Sequence, residues 1–302
     1  MEVNVSKMSR GEMVEYLRDM RQRGARDSAT VVRIGEVLFP PSREPTKYIS
    51  KCGISDEVEA WAALEQVCVA ALDSGRPAYA GRLIRCMGKS AHAASPRIRR
   101  YQAMLTESIG STAAASGTYA SLVAADPADL ATMKRQVAIL REAGLADAAV
   151  KQLNAILAVF PGDTETWLEL ADVYASVQHP GLAAYCYEEA LLALPTNRHL
   201  WTRCGEAYYT AGEFVIARKC FAKALELTEG ARDAKALLGV CMAATAAVAR
   251  GRGLAGRAEK ELNAAVHEWA REKLVEMLPV MSKMLERQSA LIKASVPETV
   301  DE

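Results

Sequence analysis

Two consecutive stretches of this chain have the same length and the same pattern. TETWLELADVYASVQHPGLAAYCYEEALLALPTN runs from Thr164 to Asn197, and RHLWTRCGEAYYTAGEFVIARKCFAKALELTEGA runs from Arg198 to Ala231. The prolines Pro127, Pro161 and Pro195 repeat with the same spacing of 34 residues. Such a fixed period predicts a stack of helical hairpins, because one hairpin buries its apolar face only by packing on its neighbours.

Four units in this register begin at Pro96, Leu130, Thr164 and Arg198. Position twenty is always alanine: Ala115, Ala149, Ala183 and Ala217. Position twenty-four is bulky: Tyr119, Leu153, Tyr187 and Phe221. Position twenty-seven is apolar: Leu122, Ile156, Ala190 and Ala224. Alanine allows two helices to approach closely, and the larger side chain fills the remaining gap. An ordinary helical bundle is the alternative, but a common phase in several residue classes favours tetratricopeptide repeats.

Position fifteen marks the turn between the two helices of a unit. It is glycine in three units, at Gly110, Gly144 and Gly212. Glycine suits a turn that needs a positive φ angle. In the third unit this position is Gln178, and Pro180 and Gly181 follow it as turn residues.

Composition narrows the classes of function. The 302-residue chain is half apolar, and its 37 basic side chains balance 37 acidic ones, so no basic excess indicates nucleic-acid binding. The chain shows neither the apolar run of a secretory signal at its start nor one long enough to span a membrane. Seven scattered cysteines suit reduced, buried thiols. We expect a soluble, cytosolic protein.

The predicted fold is all-α: a tetratricopeptide-repeat α-solenoid with an N-terminal helical pair and C-terminal capping helices. Ser9 and Glu12 form a predicted capping box at the first helix. The predicted domains are a helical pair at 1–39, a mobile proline-bearing linker at 40–55, the repeat array at 56–229, capping helices at 230–294 and a disordered tail at 295–302. A predicted final helix presents Leu262, Val266, Trp269 and Leu274, and Pro279 interrupts it.

No catalytic or cofactor motif stands out. Gly251, Gly253 and Gly256 match a dinucleotide fingerprint by letter, but they join two helices instead of a strand and a helix. The histidines are far apart and no CxxC pair occurs, so no metal site has plausible ligand spacing. We therefore expect no enzyme activity, no cofactor, no metal and no small-molecule substrate.

Repeat geometry predicts where partners bind. Side chains at positions two, five, six, nine and thirteen of each unit's first helix line the concave groove, and position twelve lies at its edge. The predicted groove residues are Lys134, Arg135, Arg141, Glu165, Glu169, Asp172, Arg203, Glu206 and Thr210. These charges suit polar protein segments, either helical or extended. Solvation of the helix surface is the alternative role for each of them.

Some repeat proteins of this class clamp the terminal carboxylate of a chaperone with lysines and asparagines in this groove. Lys134 and Arg203 stand at two of those positions, but Ala138 and Glu169 replace the expected asparagines. A carboxylate facing a carboxylate is repulsive. A soluble co-chaperone adaptor that binds acidic peptide tails therefore remains the alternative function.

Three stretches resemble subunit 2 of the endoplasmic reticulum membrane protein complex. They are WAALEQVCVAALDSGRPAYAGRLI from Trp61, GDTETWLELADVYA from Gly162 and GEFVIARKCFAKALEL from Gly212. EQVCVAALDSGR lies outside the repeat consensus and is the most specific of these. The Pro40–Ser55 insert, the alanine-rich stretch Thr112–Ser116 and the C-terminal third depart from the family pattern.

The resemblance implies a non-catalytic scaffold subunit on the cytosolic face of the endoplasmic reticulum membrane. Its implied partners are the cytosolic parts of the membrane subunits and a further cytosolic subunit, so it would associate with the membrane only through partners. The whole assembly of that family inserts transmembrane helices of client proteins.

Overall fold

The computed structural model describes residues 5–41, 48–89, 95–228, 233–251 and 256–277, together with 286, 289, 290 and 292. Within these residues every regular element is helical. After a 3-10 turn at Val5–Lys7, the helices are α1 (Arg10–Gln22), α2 (Ser28–Leu38), α3 (Tyr48–Lys51), α4 (Glu57–Asp73), α5 (Pro77–Met87), α6 (Pro96–Ser108), α7 (Thr112–Ala125), α8 (Leu130–Glu142), α9 (Ala146–Val159), α10 (Thr164–Ser176), α11 (Pro180–Ala193), α12 (Arg198–Ala211), α13 (Phe214–Glu226), α14 (Ala234–Arg250) and α15 (Arg257–Met277). The predicted all-α class is confirmed.

The predicted repeat register is also correct. Helices α6, α8, α10 and α12 begin at the four predicted unit starts. The alanines of position twenty are fully buried, and the residues at positions twenty-four and twenty-seven are at most 3% exposed. Each unit is therefore a helical hairpin whose contact residues are those that the periodicity predicts.

Local sequence explains where these helices begin. Ser9 accepts a hydrogen bond from the Glu12 amide, and the Glu12 carboxylate accepts one from the Ser9 amide, which is the predicted capping box. Asp163 and Asn197 cap α10 and α12 with their side-chain oxygens, which accept hydrogen bonds from backbone amides of the first turn. Pro180 opens α11 as its first residue, where a missing amide hydrogen costs nothing.

The chain folds into two compact units, Met1–Ile139 and Leu140–Glu302. In the first unit, α1, α2, α4, α5 and α6 share one core, which contains Leu17, Ile34, Leu64 and Leu83. Ion pairs from Arg18 and Arg21 of α1 to Glu59 of α4 support this arrangement.

The predicted linker at 40–55 needs correction in the part that is described. Tyr48 and Cys52 are fully buried in the first unit's core, and the Tyr48 ring lies edge-on to Phe39 with 6.0 Å between ring centroids. Aromatic burial stabilises this segment, so 48–52 belongs to the core instead of separating two domains. The residues between, 42–47, lie outside the described residues. The remaining predicted domain limits stay predictions.

In the second unit, helices pack on one another in chain order from α9 to α15. The ring of Phe221 fits between α12 and α14 because both helices have glycine there. A Cβ atom would lie 2.9 Å from that ring at Gly205 and 2.7 Å from it at Gly239, closer than non-bonded carbons pack. The two glycines therefore set how closely α12 and α14 approach the Phe221 side chain.

The last helix, α15, buries only part of the predicted apolar set: Val266 and Leu274 pack against the second unit's core. Leu262 and Trp269 are 50% and 41% exposed, whereas Asn263 and His267 are at most 1% exposed and Leu274 is fully buried. A polar contact with the last repeat explains the difference.

That contact centres on Arg218 of α13, which is 3% exposed. Its guanidinium donates to the Asn263 side chain at 2.9 Å and pairs with the Glu259 carboxylate. The Asn263 amide in turn donates to the Ala244 carbonyl oxygen at 3.1 Å. The side chains of Arg218 and Asn263 thus satisfy each other's buried polar groups. The predicted break at Pro279 and the predicted tail lie outside the described residues.

All seven cysteines are buried free thiols, as the sequence predicts. Burial raises the pKa of Cys68 and of Cys241 to about 12, and that of Cys186 to about 11. These thiols therefore stay protonated and pack as small apolar groups.

Candidate functional site: the charged face of the first helices

The predicted partner-binding residues lie on the first helices of three units. Helix α8 carries Lys134, Arg135 and Arg141, helix α10 carries Glu165, Glu169 and Asp172, and helix α12 carries Arg203, Glu206 and Thr210. We call these side chains the first-helix face. Lys134 and Arg135 belong to the first compact unit and the other residues to the second.

In the second unit, ion pairs join each first helix to the next. Arg141 of α8 pairs with Glu169 of α10 at 2.9 Å, and Asp172 of α10 pairs with Arg203 of α12 at 2.6 Å. Glu206 of α12 continues the series with Lys235 of α14 at 2.5 Å. The three pairs form a ladder of ion pairs, to which α10 contributes two carboxylates and α12 one guanidinium and one carboxylate.

A tyrosine of the repeat core supports the middle of this ladder. The Tyr187 hydroxyl donates to the Asp172 carboxylate at 3.0 Å, and the Arg203 guanidinium lies 5.4 Å from the centre of the Tyr187 ring. Burial, together with the charge of Asp172, raises the pKa of Tyr187 to about 12, so the phenol remains a donor at neutral pH. The Asp172 carboxylate is thus held by two donors from two helices.

These ion pairs remain open to solvent. The side chains of Arg203 and Asp172 are 49% and 38% exposed, and those of Arg141 and Glu169 are 39% and 32% exposed. Exposed pairs of this kind contribute only up to about 1 kcal/mol each to stability. The face consequently keeps charged and hydrogen-bonding groups accessible to another molecule.

The first unit repeats the arrangement between α6 and α8. Arg135 pairs with Glu107, and the Tyr119 hydroxyl donates to the same carboxylate at 2.9 Å. Burial, followed by the Glu107 hydrogen bond, raises the pKa of Tyr119 well above its usual range. Tyr119 and Tyr187 stand at the same repeat position, and each holds the carboxylate that pairs with an arginine from the next repeat.

Both partners of the Arg141–Glu169 and Asp172–Arg203 pairs were predicted from the sequence, but only Arg135 and Glu206 of the other two pairs. The prediction did not include Glu107 or Lys235, nor the tyrosine hydroxyls. The missed signal is a charge at position nine or twelve with an opposite charge 28 to 31 residues later, as in Glu107–Arg135, Arg141–Glu169 and Asp172–Arg203. A separation of one full repeat would place the two charges at the same position of successive first helices. The observed separation is shorter by about one or two helical turns, so the two charges still lie on successive first helices.

A cleft of about 750 Å³ in the first unit was also missed. It lies between the α1–α2 turn, α4 and the start of α6, and Trp61, Val69 and Tyr101 line it. The Trp61 indole is half-buried and forms part of this wall. Ion pairs such as Arg26–Asp73 and Arg97–Glu65 lie at the rim.

Other kinds of site have little support in the described residues. No cluster of three or more His, Cys, Asp or Glu side chains in them could hold a metal ion. Gly253 of the dinucleotide fingerprint lies outside the described residues, and Gly251 ends α14 in a left-handed conformation. None of the described helices is long and apolar enough to cross a membrane.

The stacked hairpins and their 34-residue register define a tetratricopeptide-repeat protein. The crystal structure of the C-terminal part of a TPR repeat-containing protein from Cytophaga hutchinsonii is similar, with a TM-score of 0.55, 12% sequence identity, and coverage of 94% of this chain and 100% of that one. At this identity the likeness concerns the fold alone.

Sequence comparison gives a narrower assignment. Residues 92–228 match the EMC2 TPR-like repeat domain. ER membrane protein complex subunit 2-B of Xenopus laevis is 32% identical over 234 residues, which are 76% of this chain and 74% of that protein. ER membrane protein complex subunit 2 of Dictyostelium discoideum is 33% identical over 183 residues, or 61% of this chain and 54% of that protein. The chain belongs to the family of ER membrane protein complex subunit 2, as the resemblance predicted.

Proposed function

We propose that this protein is a non-catalytic scaffold subunit of the endoplasmic reticulum membrane protein complex. In this role it holds cytosolic segments of the membrane subunits while the complex inserts transmembrane helices of client proteins. Membership of the subunit 2 family supports the complex. The accessible ion-pair ladder on α8, α10, α12 and α14 is the structural observation on which this proposal rests.

The physical mechanism is positioning. Stacked hairpins keep charged groups at fixed separations, so a segment that binds one of them is held at a high effective concentration near the next. A partner carboxylate can join Arg203, and a partner lysine or arginine can join Asp172, because each of these side chains is more than a third exposed. Binding to the folded state also stabilises the hairpins by mass action.

The place of action in this proposal is the cytosolic face of the endoplasmic reticulum membrane. The proposed partners are cytosolic parts of the membrane subunits and a second cytosolic subunit, with no nucleic acid and no small-molecule substrate. In this proposal the protein is attached to the membrane only through those partners.

Affinity purification tests the assignment to the complex. The tagged full-length protein, purified from cells in mild detergent, should recover several membrane proteins in a fixed ratio. Recovery of a cytosolic chaperone alone would instead support a co-chaperone adaptor for acidic peptide tails, and would refute the scaffold proposal.

A charge swap tests the use of the first-helix face. The double variant Asp172→Arg with Arg203→Asp keeps an intramolecular ion pair but exchanges the two charges that a partner meets. We expect lower recovery of membrane subunits with an unchanged circular dichroism spectrum. The matched control is the swap Arg257→Glu with Glu261→Arg, which exchanges an exposed pair at 2.7 Å on α15. Equal recovery from both swaps would exclude a role for the face.

A further inference from the structure

The outer face of α11 is apolar although the helix is already packed on its other side. Ala183, Ala184, Tyr187 and Ala190 are buried against the repeat core. Leu182, Tyr185 and Leu192 lie on the opposite side and are 48%, 51% and 78% exposed. Their spacing, with Glu189 between the last two, places them on one stripe of the helix surface.

Neighbouring repeats show that the fold does not require a ring at Tyr185 or a leucine at Leu192. The residue 34 positions before Tyr185 is Lys151, and the residue 34 positions after it is Lys219. The residues equivalent to Leu192 are Ala158 and Glu226. The second helices of the adjacent repeats thus present charged or small side chains where α11 presents a ring and a leucine.

An aromatic side chain from α10 borders the stripe. The Trp167 ring meets the Tyr185 ring edge-on, with 6.0 Å between centroids and an angle of 83°. The Trp167 indole nitrogen donates to the Pro161 carbonyl oxygen at 2.8 Å, which fixes the ring. Exposed apolar side chains that form a group and include aromatic rings are typical of protein-binding surfaces.

The charge of this repeat is one-sided. Residues 152–197 contain no lysine or arginine, but they contain six acidic residues: Asp163, Glu165, Glu169, Asp172, Glu188 and Glu189. Arginines from other repeats pair with Glu169 and Asp172 on the first-helix face. On α11, the carboxylate of Glu188 accepts a hydrogen bond from the Tyr208 hydroxyl at 2.6 Å, and a hydrogen bond to Glu189 raises the pKa of Tyr185.

We propose that the outer face of α11 is a second docking surface, which binds a basic amphipathic helix of a partner protein. Leucines or aromatic rings of that helix would cover Leu182, Tyr185 and Leu192. Its lysines or arginines would meet Glu188 and Glu189. An amphipathic partner helix would thus be recognised by its apolar face and by complementary charge, and this surface is independent of the first-helix face.

Charge argues against two other occupants. A bilayer with anionic headgroups attracts basic segments and would be repelled by the carboxylates of this repeat. A second copy of the same face would bring Glu188 and Glu189 against identical carboxylates, and like charges in contact are unfavourable. A basic helix is the occupant that satisfies both the apolar stripe and its charge.

Fluorescence anisotropy with the full-length protein tests this proposal. The probe is a labelled helical peptide of about 18 residues built from leucine and lysine, and its counterpart has glutamate in place of each lysine. We expect the lysine peptide to bind, with an affinity that falls as salt rises, and the glutamate peptide not to bind.

The variant Leu182→Gln with Leu192→Gln should weaken binding of the lysine peptide by about tenfold or more, since both leucines are lost from the contact. Because both side chains are already exposed, the variant should fold normally. The control is Leu145→Gln with Ile216→Gln, two residues that are 54% and 40% exposed elsewhere in the same unit. It should bind the peptide like the unmodified protein.

Four results would overturn the proposal. They are equal binding of both peptides, equal weakening by both double variants, binding to phosphatidylserine vesicles that the leucine variant abolishes, and a dimer in ultracentrifugation that the leucine variant dissociates. The scaffold proposal is tested by recovery of membrane subunits, and the α11 docking surface is tested by peptide binding to the leucine variant. Either proposal can therefore fail while the other stands.

Discussion

A single substitution at Gln178 tests the physical account of the repeat turn. Gln178 has a φ angle of 62° and is the one non-glycine residue with a positive φ among the described residues. The same turn position is Gly110, Gly144 and Gly212 in the other units, with φ angles of 89°, 71° and 86°. Gln178→Gly should therefore remove backbone strain while the turn keeps its hydrogen bonds, Gln178 N–H to the Ala175 carbonyl oxygen and His179 N–H to the Tyr174 carbonyl oxygen.

The expected gain is a difference of two effects. An L-residue with a side chain in the left-handed region costs roughly 1–2 kcal/mol. Glycine loses more conformational entropy on folding, at a cost of about 0.5–1 kcal/mol. The Gln178 side chain is exposed and contributes little packing. The free energy of unfolding should therefore rise by about 0.5–1 kcal/mol.

The reverse substitution at an equivalent turn is the matched control. Gly144→Ala places a Cβ atom in open space, with nothing within 4 Å, so only the φ angle of 71° opposes it. We expect a loss of about 0.5–1 kcal/mol from this change.

Urea denaturation, followed by tryptophan fluorescence and circular dichroism, measures both changes. Trp167 and Trp201 lie on the two sides of the turn and report on this unit. A Gln178→Gly protein that is less stable than the unmodified one, while Gly144→Ala is unchanged, would show that backbone strain does not govern this position.

Three further predictions follow from the packing and the caps. Ala183→Arg places a charge at a fully buried helix contact and should lower the free energy of unfolding by about 3–5 kcal/mol, seen as a clear fall in thermal midpoint; an unchanged midpoint would refute the repeat register. Arg218→Ala should increase amide hydrogen exchange in α15, because Asn263 loses its buried donor, and unchanged exchange would show that apolar packing alone holds α15. Hydrogen bonds from the Thr30 side chain and amide hold the pKa of Asp27 below its usual range. At any pH above the ordinary aspartate pKa, the ionised Asp27 cap therefore stabilises α2. This stabilisation is lost as the pH falls through the lowered pKa of Asp27. Asp27→Asn should flatten that acid dependence in denaturation curves between neutral and acidic pH, and an identical pH profile would contradict the assignment.

The sequence by itself determined the repeat units. Helix starts at Pro96, Leu130, Thr164 and Arg198 follow from a 34-residue period, because buried contacts recur wherever identical hairpins stack. The same rule placed the position-twenty alanines in the core. Local chemistry was equally predictive for caps such as Ser9, since a cap depends only on residues three or four positions away.

The candidate site was predicted in outline. Repeat geometry placed Arg203 and Asp172 on the first helices, but it treated them as separate charges. Their pairing, and the support from Tyr187, depends on how closely successive hairpins approach, which no single repeat specifies.

Only the tertiary structure decided which surfaces of the less regular elements are buried. Periodicity alone grouped Leu262 and Trp269 with Leu274 as the apolar residues of α15, whereas the structure leaves Leu262 and Trp269 partly exposed. It instead brings Asn263 and Glu259 to Arg218 on α13. Tyr48 likewise joined the core although prolines nearby indicated a linker. Hydrophobic periodicity shows that a helix has an apolar and a polar face. The residues that cover one face are distant in the chain, and periodicity does not identify them. Whether those residues are polar or apolar selects the face of the helix that is buried.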